Sequence, residues 1–339
     1  MHVKSNGTGY IQALRLGAIC ISIVFPCWSF AELNYNPVAI KALSKAYGFI
    51  LGQDFQLSRI EKAYPAAGGE VEMTRMAFGA GFPNIRIKIE RELSSALGEA
   101  ELKQLRNEMQ RKMVAFLSQQ PLTSETAKQF LDQVRARAKG NEIEPDVLNY
   151  LLAVKYMSNT AGEFIDGFRQ RYRTDGSGKS QGLRLHLQLP RSWIAKDGER
   201  PHVVKKWVSE GGTGLANILL LVQDTGGETP NRVEVDQFVR SGEIRTIVPD
   251  GGTYIDGGAL SMEKSAGYWL EMATPAERAG MKMYSRGYMY QLFFQGKAIS
   301  LQCVTGGAYN EERKVSTASV KLKPLCQQVM NSVVLDQAY

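Results

Sequence analysis

The period of the apolar residues changes along this chain, and that change constrains the fold more than any other sequence feature. The segment Arg173–Gly182 (RTDGSGKSQG) contains no apolar residue. Before it, apolar residues recur every three or four positions, which is typical of amphipathic helices; after it they alternate with polar residues, which is typical of strands. We therefore predict an α+β fold, with an all-α helical domain at 32–172, a linker at 173–182 and a mainly antiparallel α+β domain at 183–339.

The helical half carries start and stop signals as well as apolar stripes. Asn36-Pro37 is a helix start, because Asn can cap the backbone and Pro suits the first turn. Thr123 or Ser124 can cap a later helix, and Gly79–Pro83 is expected to break one. One strongly charged helix carries an apolar stripe, formed by Leu102, Leu105, Met109, Met113 and Phe116. Together these signals predict about six or seven helices.

The second half reads as consecutive strands joined by short turns. Its first strand alternates leucines at 183, 185, 187 and 189 with polar residues, the pattern of a strand with one buried face. Further strands are predicted at His202–Ser209, Leu215–Val222, Gly252–Met262, Gly267–Met272, Met281–Phe294 and Ala298–Val304. Helices are predicted at Glu228–Ser241 and Ser316–Val333. Strand follows strand without an intervening helix in most places, so the sheet is predicted to be antiparallel.

The first 31 residues have the layout of a secretory signal peptide. Lys4 and Arg15 supply sparse positive charge, the apolar run Leu16–Phe25 follows, and Ser29-Phe30-Ala31 offers a small-x-small cleavage site. A run of ten mostly apolar residues is too short to span a hydrocarbon core of about 30 Å. We predict export to the periplasm or the medium with cleavage near Ala31, the alternative being a retained membrane anchor. No later stretch approaches the roughly 18 apolar residues of a membrane span, so none is predicted in the mature protein.

Removing this peptide changes what the composition allows. The formal charge falls from +7 to about +5, without the clustered basic stripe of a nucleic-acid binder. Cys303 and Cys326 are the cysteines that remain. Two cysteines in an exported protein most often pair, so a disulfide is predicted; the alternative is two separate buried thiols.

Each motif that could carry catalysis or bind a metal has a simpler explanation. Gly178-Lys179-Ser180 resembles the end of a phosphate-binding loop, but Arg173 stands where such a loop needs glycine. No Gly-x-Ser-x-Gly elbow accompanies His186 or His202, so neither is assigned as catalytic. The helical pair Glu163 and Asp166 is expected to be solvated. No cofactor is predicted, and with two unclustered histidines in the mature protein no metal site is predicted either.

One strand carries a row of aromatic side chains on a single face. Tyr284, Tyr288 and Tyr290 alternate with other residues there, and Arg286 lies on the same face. Such a row is most often a sheet face packed beneath a helix. If exposed, it would form a protein-binding surface, because tyrosine offers contact area at a small entropic cost. These four residues are the candidate partner surface.

The second half resembles the PsbP-like superfamily in its motifs. The resemblance covers about 150 residues. It rests on the strand Leu185–Leu189, the turn Pro190-Arg191-Ser192-Trp193, the pair Gly211-Gly212 and the closing Asn331-Ser332-Val333-Val334-Leu335. It implies an antiparallel sheet sandwiched between helices, binding to other proteins, and no active-site residues. The helical half resembles only exported bacterial proteins of undefined role.

These observations together predict a non-enzymatic, exported bacterial protein that binds a protein partner in the cell envelope. One version is an immunity or antagonist protein against an envelope-acting toxin. The alternative is an envelope hydrolase that uses His186 or His202.

Overall fold

The computed structural model describes residues 36–278 and 281–339. The predicted signal peptide lies outside these residues. The chain divides into two compact units between Ser158 and Asn159. The first unit is helical and the second is a mainly antiparallel sheet with helices, which confirms the predicted α+β class.

The first unit consists of helices joined by short turns. Its helices are α1 (Pro37–Ala63), α2 (Gly68–Gly81), α3 (Ile85–Leu97), α4 (Glu99–Ser118), α5 (Ser124–Ala138) and α6 (Pro145–Tyr156). The predicted caps are confirmed: Asn36 Oδ1 accepts the Ala39 N–H at 2.8 Å, and Thr123 Oγ1 accepts the Thr126 N–H at 3.2 Å. Side-chain caps of this kind satisfy amide groups that the first helical turn leaves unpaired.

Helix α4 contributes less to the core than its apolar stripe predicts. Of the stripe, Leu102 is buried, whereas the Phe116 side chain is 63% exposed. Further along, α4 contacts α1 through Met109 and Met113, which lie close to Gly48 and Gly52 of α1. Missing side chains at these two glycines let the helices approach each other.

The second unit contains two sheets and their covering helices. Its elements are α7 (Thr160–Ile165), β1 (Arg169–Arg173), β2 (Leu185–Pro190), β3 (Ile194–Asp197), β4 (Val203–Val208), β5 (Asn217–Asp224), α8 (Arg232–Arg240), β6 (Thr253–Met262), β7 (Ser265–Arg278), β8 (Met281–Phe294), β9 (Lys297–Ala308), α9 (Glu312–Asn331) and β10 (Val334–Leu335). The small sheet has the order β1-β2-β10, and the large one has the order β3-β4-β5-β9-β8-β7-β6. Every strand pair in the described residues is antiparallel.

Helices cover both faces of the large sheet. Along β8, Tyr288, Tyr290 and Leu292 pack in one cluster with residues of α9, including Leu325 and Val329. The intervening residues of β8 point the other way: Met289 and Phe293 pack with Val235 and Phe238 of α8. Each apolar face of the sheet is thereby buried against a helix.

The boundary between the units differs from the predicted one at 172/173. Helix α7 and strand β1 belong to the second unit, because β1 pairs along its length with β2. The segment predicted as an interdomain linker is the connection between these two strands. Thr174 holds it in place, with its backbone N–H and its buried hydroxyl donating to Leu185 O and Leu183 O, at 2.9 and 2.8 Å.

Within the described residues, no helix combines the length and the apolar character needed to cross a membrane.

Candidate binding groove in the helical unit

The tyrosine row is part of the core, so it cannot serve as the candidate partner surface. Tyr284, Tyr288 and Tyr290 are 9%, 1% and 6% exposed, since this face of β8 lies beneath α9. Arg286 turns to the neighbouring strand, where its Nη2 lies 2.6 Å from Glu271 Oε1. Desolvation by burial raises the pKa of the Tyr288 and Tyr290 hydroxyls above their ordinary value. The buried interpretation of this strand is the right one.

The two cysteines of the second unit meet in its core. Cys303 on β9 and Cys326 on α9 are both fully buried and are present as free thiols. Burial, and then the hydrogen bond between the two sulfhydryl groups, raise the pKa of Cys326. The pairing expected from the sequence is therefore matched by contact, whereas the disulfide itself stays a prediction.

The two histidines lie in different surroundings. His186 Nδ1 lies 2.7 Å from Asp336 Oδ1, and Arg173 Nε also binds this carboxylate at 3.0 Å. Burial, with help from Arg200, lowers the pKa of His202, whose Nε2 is buried without a hydrogen-bond partner among the described residues. Within residues 36–278 and 281–339, no serine, threonine or cysteine side chain hydrogen-bonds to either imidazole. Nor do three or more His, Cys, Asp or Glu side chains there form a group that could hold a metal.

The carboxylate of Glu163 has a structural partner. Its two oxygens accept hydrogen bonds from Ser192, one from the backbone N–H at 2.7 Å and one from the hydroxyl at 2.6 Å. Glu163 is buried and Asp166 is exposed, so the expectation that both are solvated holds only for Asp166. Lys179, from the segment that resembles a phosphate-binding loop, donates to the carbonyl of Gly198.

One concave site of the first unit is a groove among helices α1, α2 and α3. It has a volume of about 490 Å³. Its floor is apolar, and its residues are Ile50, Leu57, Phe78, Phe82 and Ile85, all buried. Its charged lining residues are Asp54, Arg75, Arg86 and Glu90. An apolar cleft with a few polar groups at its edge is the usual form of a ligand-binding site.

Two glycines of α2 have different surroundings: Gly81 lies against α5, whereas Gly79 lines the groove. A Cβ at Gly81 would lie 2.1 Å from the carbonyl oxygen of Ala138, so this glycine allows α2 to pack directly on α5. A Cβ at Gly79 would meet no atom within 4 Å. Gly79 lines the groove, and its missing side chain keeps that wall open.

A turn in the left-handed region sets the angle between α2 and α3. Asn84, which also lines the groove, has φ 54° and ψ 23°, a conformation that asparagine tolerates better than most residues. It follows the buried Phe82 and directly precedes Ile85 of α3. The two floor residues are thus placed on either side of the turn.

Among the charged lining residues, Glu90 is the centre of a group of hydrogen bonds and ion pairs. Tyr47 donates to Glu90 Oε1 at 2.8 Å, Arg86 Nε donates to it at 3.1 Å, and Arg106 Nη2 lies 3.2 Å away. Burial acts against ionisation here, but the hydrogen bonds from Tyr47 and Arg86 prevail and lower the pKa of Glu90. Desolvation by burial raises the pKa of Asp54, although Arg86 and Arg75 oppose the shift.

Nothing in the local sequence pattern predicted this groove. Its floor residues are ordinary apolar residues of three helical stripes, indistinguishable in sequence from the rest of the core. The usable signals were Gly79 inside a helical pattern and Asp54 between Ile50 and Leu57 of one helical stripe. Both signals gain meaning only when the helices are placed together.

No family model matches the chain, and no curated protein matches it. Several solved structures resemble part of it. LpqN of Mycobacterium tuberculosis, described as involved in cell envelope biogenesis, has 14% sequence identity and a TM-score of 0.30, covering 50% of this chain and 92% of LpqN. The Saccharomyces cerevisiae Ran-binding protein Mog1p has 8% identity and a TM-score of 0.33, with 49% and 95% covered. A Pseudomonas aeruginosa protein of unknown function has 13% identity and a TM-score of 0.24, with 49% and 96% covered.

Identities and TM-scores this low assign the chain to no family and transfer no function to it. The resemblance of its second half to the PsbP-like superfamily stays a prediction.

Proposed function

We propose that this chain is an exported, non-enzymatic bacterial protein that binds a protein partner in the cell envelope, and that the groove of the helical unit is its docking site. The observation that carries the proposal is the groove itself, an open cleft of about 490 Å³ with an apolar floor and charged lining residues. Apolar side chains of a partner would leave water on entering it, which is the main favourable term in protein association.

Packing and ion pairs hold the side chains that form the groove in place. Its floor side chains are fixed in the core of the unit, as the burial of Ile50, Leu57 and Phe82 indicates. The ion pairs around Glu90 tie α3 to α1 and α4 through Tyr47 and Arg106. A preformed site costs less conformational entropy on binding than one that must be ordered first.

An immunity or antagonist protein against an envelope-acting toxin is one version of this proposal. Its discriminator is gene neighbourhood: a toxin gene next to this one supports that version, and a housekeeping neighbourhood speaks against it.

The alternative function is an envelope hydrolase, and one contact favours His186 over His202 for that role. The 2.7 Å contact between His186 and Asp336 has the form of a base held by an orienting carboxylate. A hydrolase that works through a covalent intermediate also needs a hydroxyl or thiol at the imidazole, and among the described residues no such side chain hydrogen-bonds to His186. The hydrolase therefore stays the alternative.

The groove is tested with two substitutions at Gly79. Gly79→Trp places a large side chain where the structure has open space, whereas Gly79→Ala leaves the groove open and favours the helix by up to about 1 kcal/mol. The mature wild type and both variants are immobilised and exposed to envelope extract, and retained proteins are identified by mass spectrometry. We expect at least one protein that the wild type and Gly79→Ala retain and Gly79→Trp loses. If there is no such protein, with the wild type and both variants folded by circular dichroism, the proposal is overturned.

The same experiment separates binding from hydrolysis. Under the binding proposal, the double variant His186→Ala/His202→Ala retains the same proteins as the wild type and complements a deletion strain equally well. Loss of complementation by a folded double variant, with retention unchanged, would favour the hydrolase.

A further inference from the structure

We propose that the partner segment entering the groove carries a lysine or arginine next to its apolar side chains, and that Asp54 receives this cationic group. The inference rests on the proposed function, because it names the chemistry of the ligand for the same groove. Three features support it: the lack of a hydrogen bond to Asp54, the engagement of the neighbouring guanidinium groups, and the charge balance around the groove.

Asp54 lines the groove and lacks a close partner. Among the residues that the structure describes, it accepts no hydrogen bond from another residue, and its contact with Arg86, from Nη1 to Oδ2, is 3.8 Å. That separation exceeds hydrogen-bond length, so the carboxylate keeps unused acceptor sites. Its side chain is 46% exposed, so a group of the partner can reach it, and partial burial raises its pKa.

Both arginines of the lining are engaged with other acidic groups. Arg86 Nε donates to Glu90 at 3.1 Å. Arg75 Nη2 lies 2.9 Å from Glu61 Oε2 and also donates to the Ser58 hydroxyl at 3.1 Å. A ligand anion would have to compete with these carboxylates for the guanidinium groups, whereas a ligand cation would complete the environment of Asp54.

The charge balance around the groove points the same way. The lining residues and their ion-pair partners comprise four carboxylates and three guanidinium groups. The carboxylates belong to Asp54, Glu61, Glu72 and Glu90, and the guanidinium groups belong to Arg75, Arg86 and Arg106. One negative charge is therefore left over, and a cationic group from the partner neutralises it.

The placement of Asp54 also fits a basic side chain with a long aliphatic stem. Asp54 lies on α1 between the floor residues Ile50 and Leu57, one helical turn from each. Lysine and arginine bury their methylene groups against apolar surface while the charged end reaches a polar group. A single lysine or arginine side chain of the partner can therefore cover part of the floor and pair with Asp54 at the same time.

The test uses three small probes that share one apolar tail and differ in the head group: n-hexylammonium, n-hexanol and n-hexanoate. Each is titrated into the full mature chain, and binding is read from the NMR shifts of the Ile50 and Ile85 methyl groups. Because Asp54 is partly exposed to solvent, we expect hexylammonium to bind about two- to fivefold more tightly than hexanol. Hexanoate is expected to bind more weakly than hexanol.

Two matched variants assign the preference to Asp54. Asp54→Asn is expected to equalise the dissociation constants of hexylammonium and hexanol without changing that of hexanol. Asp132→Asn removes the same charge from the exposed side of α5, where Asp132 pairs with Arg135, and is expected to preserve the preference. The inference is overturned if hexanoate binds at least as tightly as hexylammonium, or if the preference survives in Asp54→Asn.

Failure of the groove itself would look different. If no probe shifts the floor methyl groups, the groove does not bind ligands and the proposed function falls as well. If the shifts persist in Gly79→Trp, they do not report entry past Gly79, and the proposed function falls for that reason. If all three probes bind with equal affinity and Gly79→Trp abolishes binding, only the charge preference is wrong.

Discussion

The carboxylate of Glu163 anchors the Pro190–Trp193 turn to helix α7. It is 2% exposed and receives both the backbone N–H and the hydroxyl of Ser192. A buried carboxylate is tolerated when hydrogen bonds of this kind replace the water that it has lost. At the level of single residues, this contact accounts for the turn motif on which the family resemblance partly rests: its serine is a structural donor.

Replacing Glu163 by Ala should destabilise the protein by about 2–3 kcal/mol, because two donors of Ser192 would be left buried and unsatisfied. Glu163→Gln should cost less, since its carbonyl oxygen can still accept the Ser192 N–H. Urea unfolding of the wild type and both variants measures the difference. A Glu163→Ala variant as stable as the wild type would contradict this account of the turn.

Strand β9 and helix α9 pack against each other, and this packing brings the two cysteines together. Cys303 faces α9 because alternate residues of β9, such as Ile299 and Leu301, belong to the same core cluster. Cys326 comes from the buried face of α9, together with Leu322 and Val329. The helical and strand periods place the two thiols in register without any local sequence motif.

We predict that the protein exported to an oxidising compartment contains a Cys303–Cys326 bridge. It would close a loop of about 23 residues and stabilise the fold by about 3 kcal/mol in the chain-entropy model. Alkylation of the unfolded protein without reductant, read by mass spectrometry, should label no thiol. Reduction should then expose two thiols and lower the denaturation midpoint. The double variant Cys303→Ser/Cys326→Ser serves as the control, because reductant should leave its midpoint unchanged. Two thiols labelled before reduction would show that the pair is free.

The chain divides between Ser158 and Asn159, ahead of helix α7 and strand β1. Strand β1 and helix α7 precede the apolar-free segment but belong with the residues after it. Because a long connection separates β1 from β2, the sequence does not show that the two strands pair. Most of β1 is polar (Arg-Gln-Arg-Tyr-Arg), and Tyr172 alone packs against the core cluster.

Fragments cut at the two alternative boundaries should therefore behave differently. A fragment of residues 36–158 should unfold cooperatively and remain monomeric, because it keeps every helix of its own unit. A fragment of residues 36–172 would also carry β1 without its partner β2, leaving unpaired strand edges that favour association. Likewise, 159–339 should fold and 183–339 should not. Circular dichroism and size-exclusion chromatography compare the fragments. Equal behaviour of the 36–158 and 36–172 fragments would argue against the boundary at Ser158.

How much of the protein could be predicted follows from the range of each interaction. The caps at Asn36 and Thr123 and the alternation in β2 are local, because a few neighbouring residues determine them. The sequence by itself therefore determined the α+β class, the antiparallel sheet and most of its strands, but not the strands β1, β3 and β10. It could not distinguish a buried from an exposed tyrosine row at 284–290, since alternation shows that side chains share a face but not what covers it.

Only the tertiary structure decided the features on which function depends. The groove requires three helices to meet around Gly79 and Asp54, and the Glu163–Ser192 contact joins residues 29 positions apart. The unit boundary depends on the pairing of β1 with β2 across the apolar-free segment. These are non-local contacts, and a polar side chain acquires its role only when burial and a distant partner are known. The segment at 173–182 still marks the change of period, but the molecule divides before it, at Ser158.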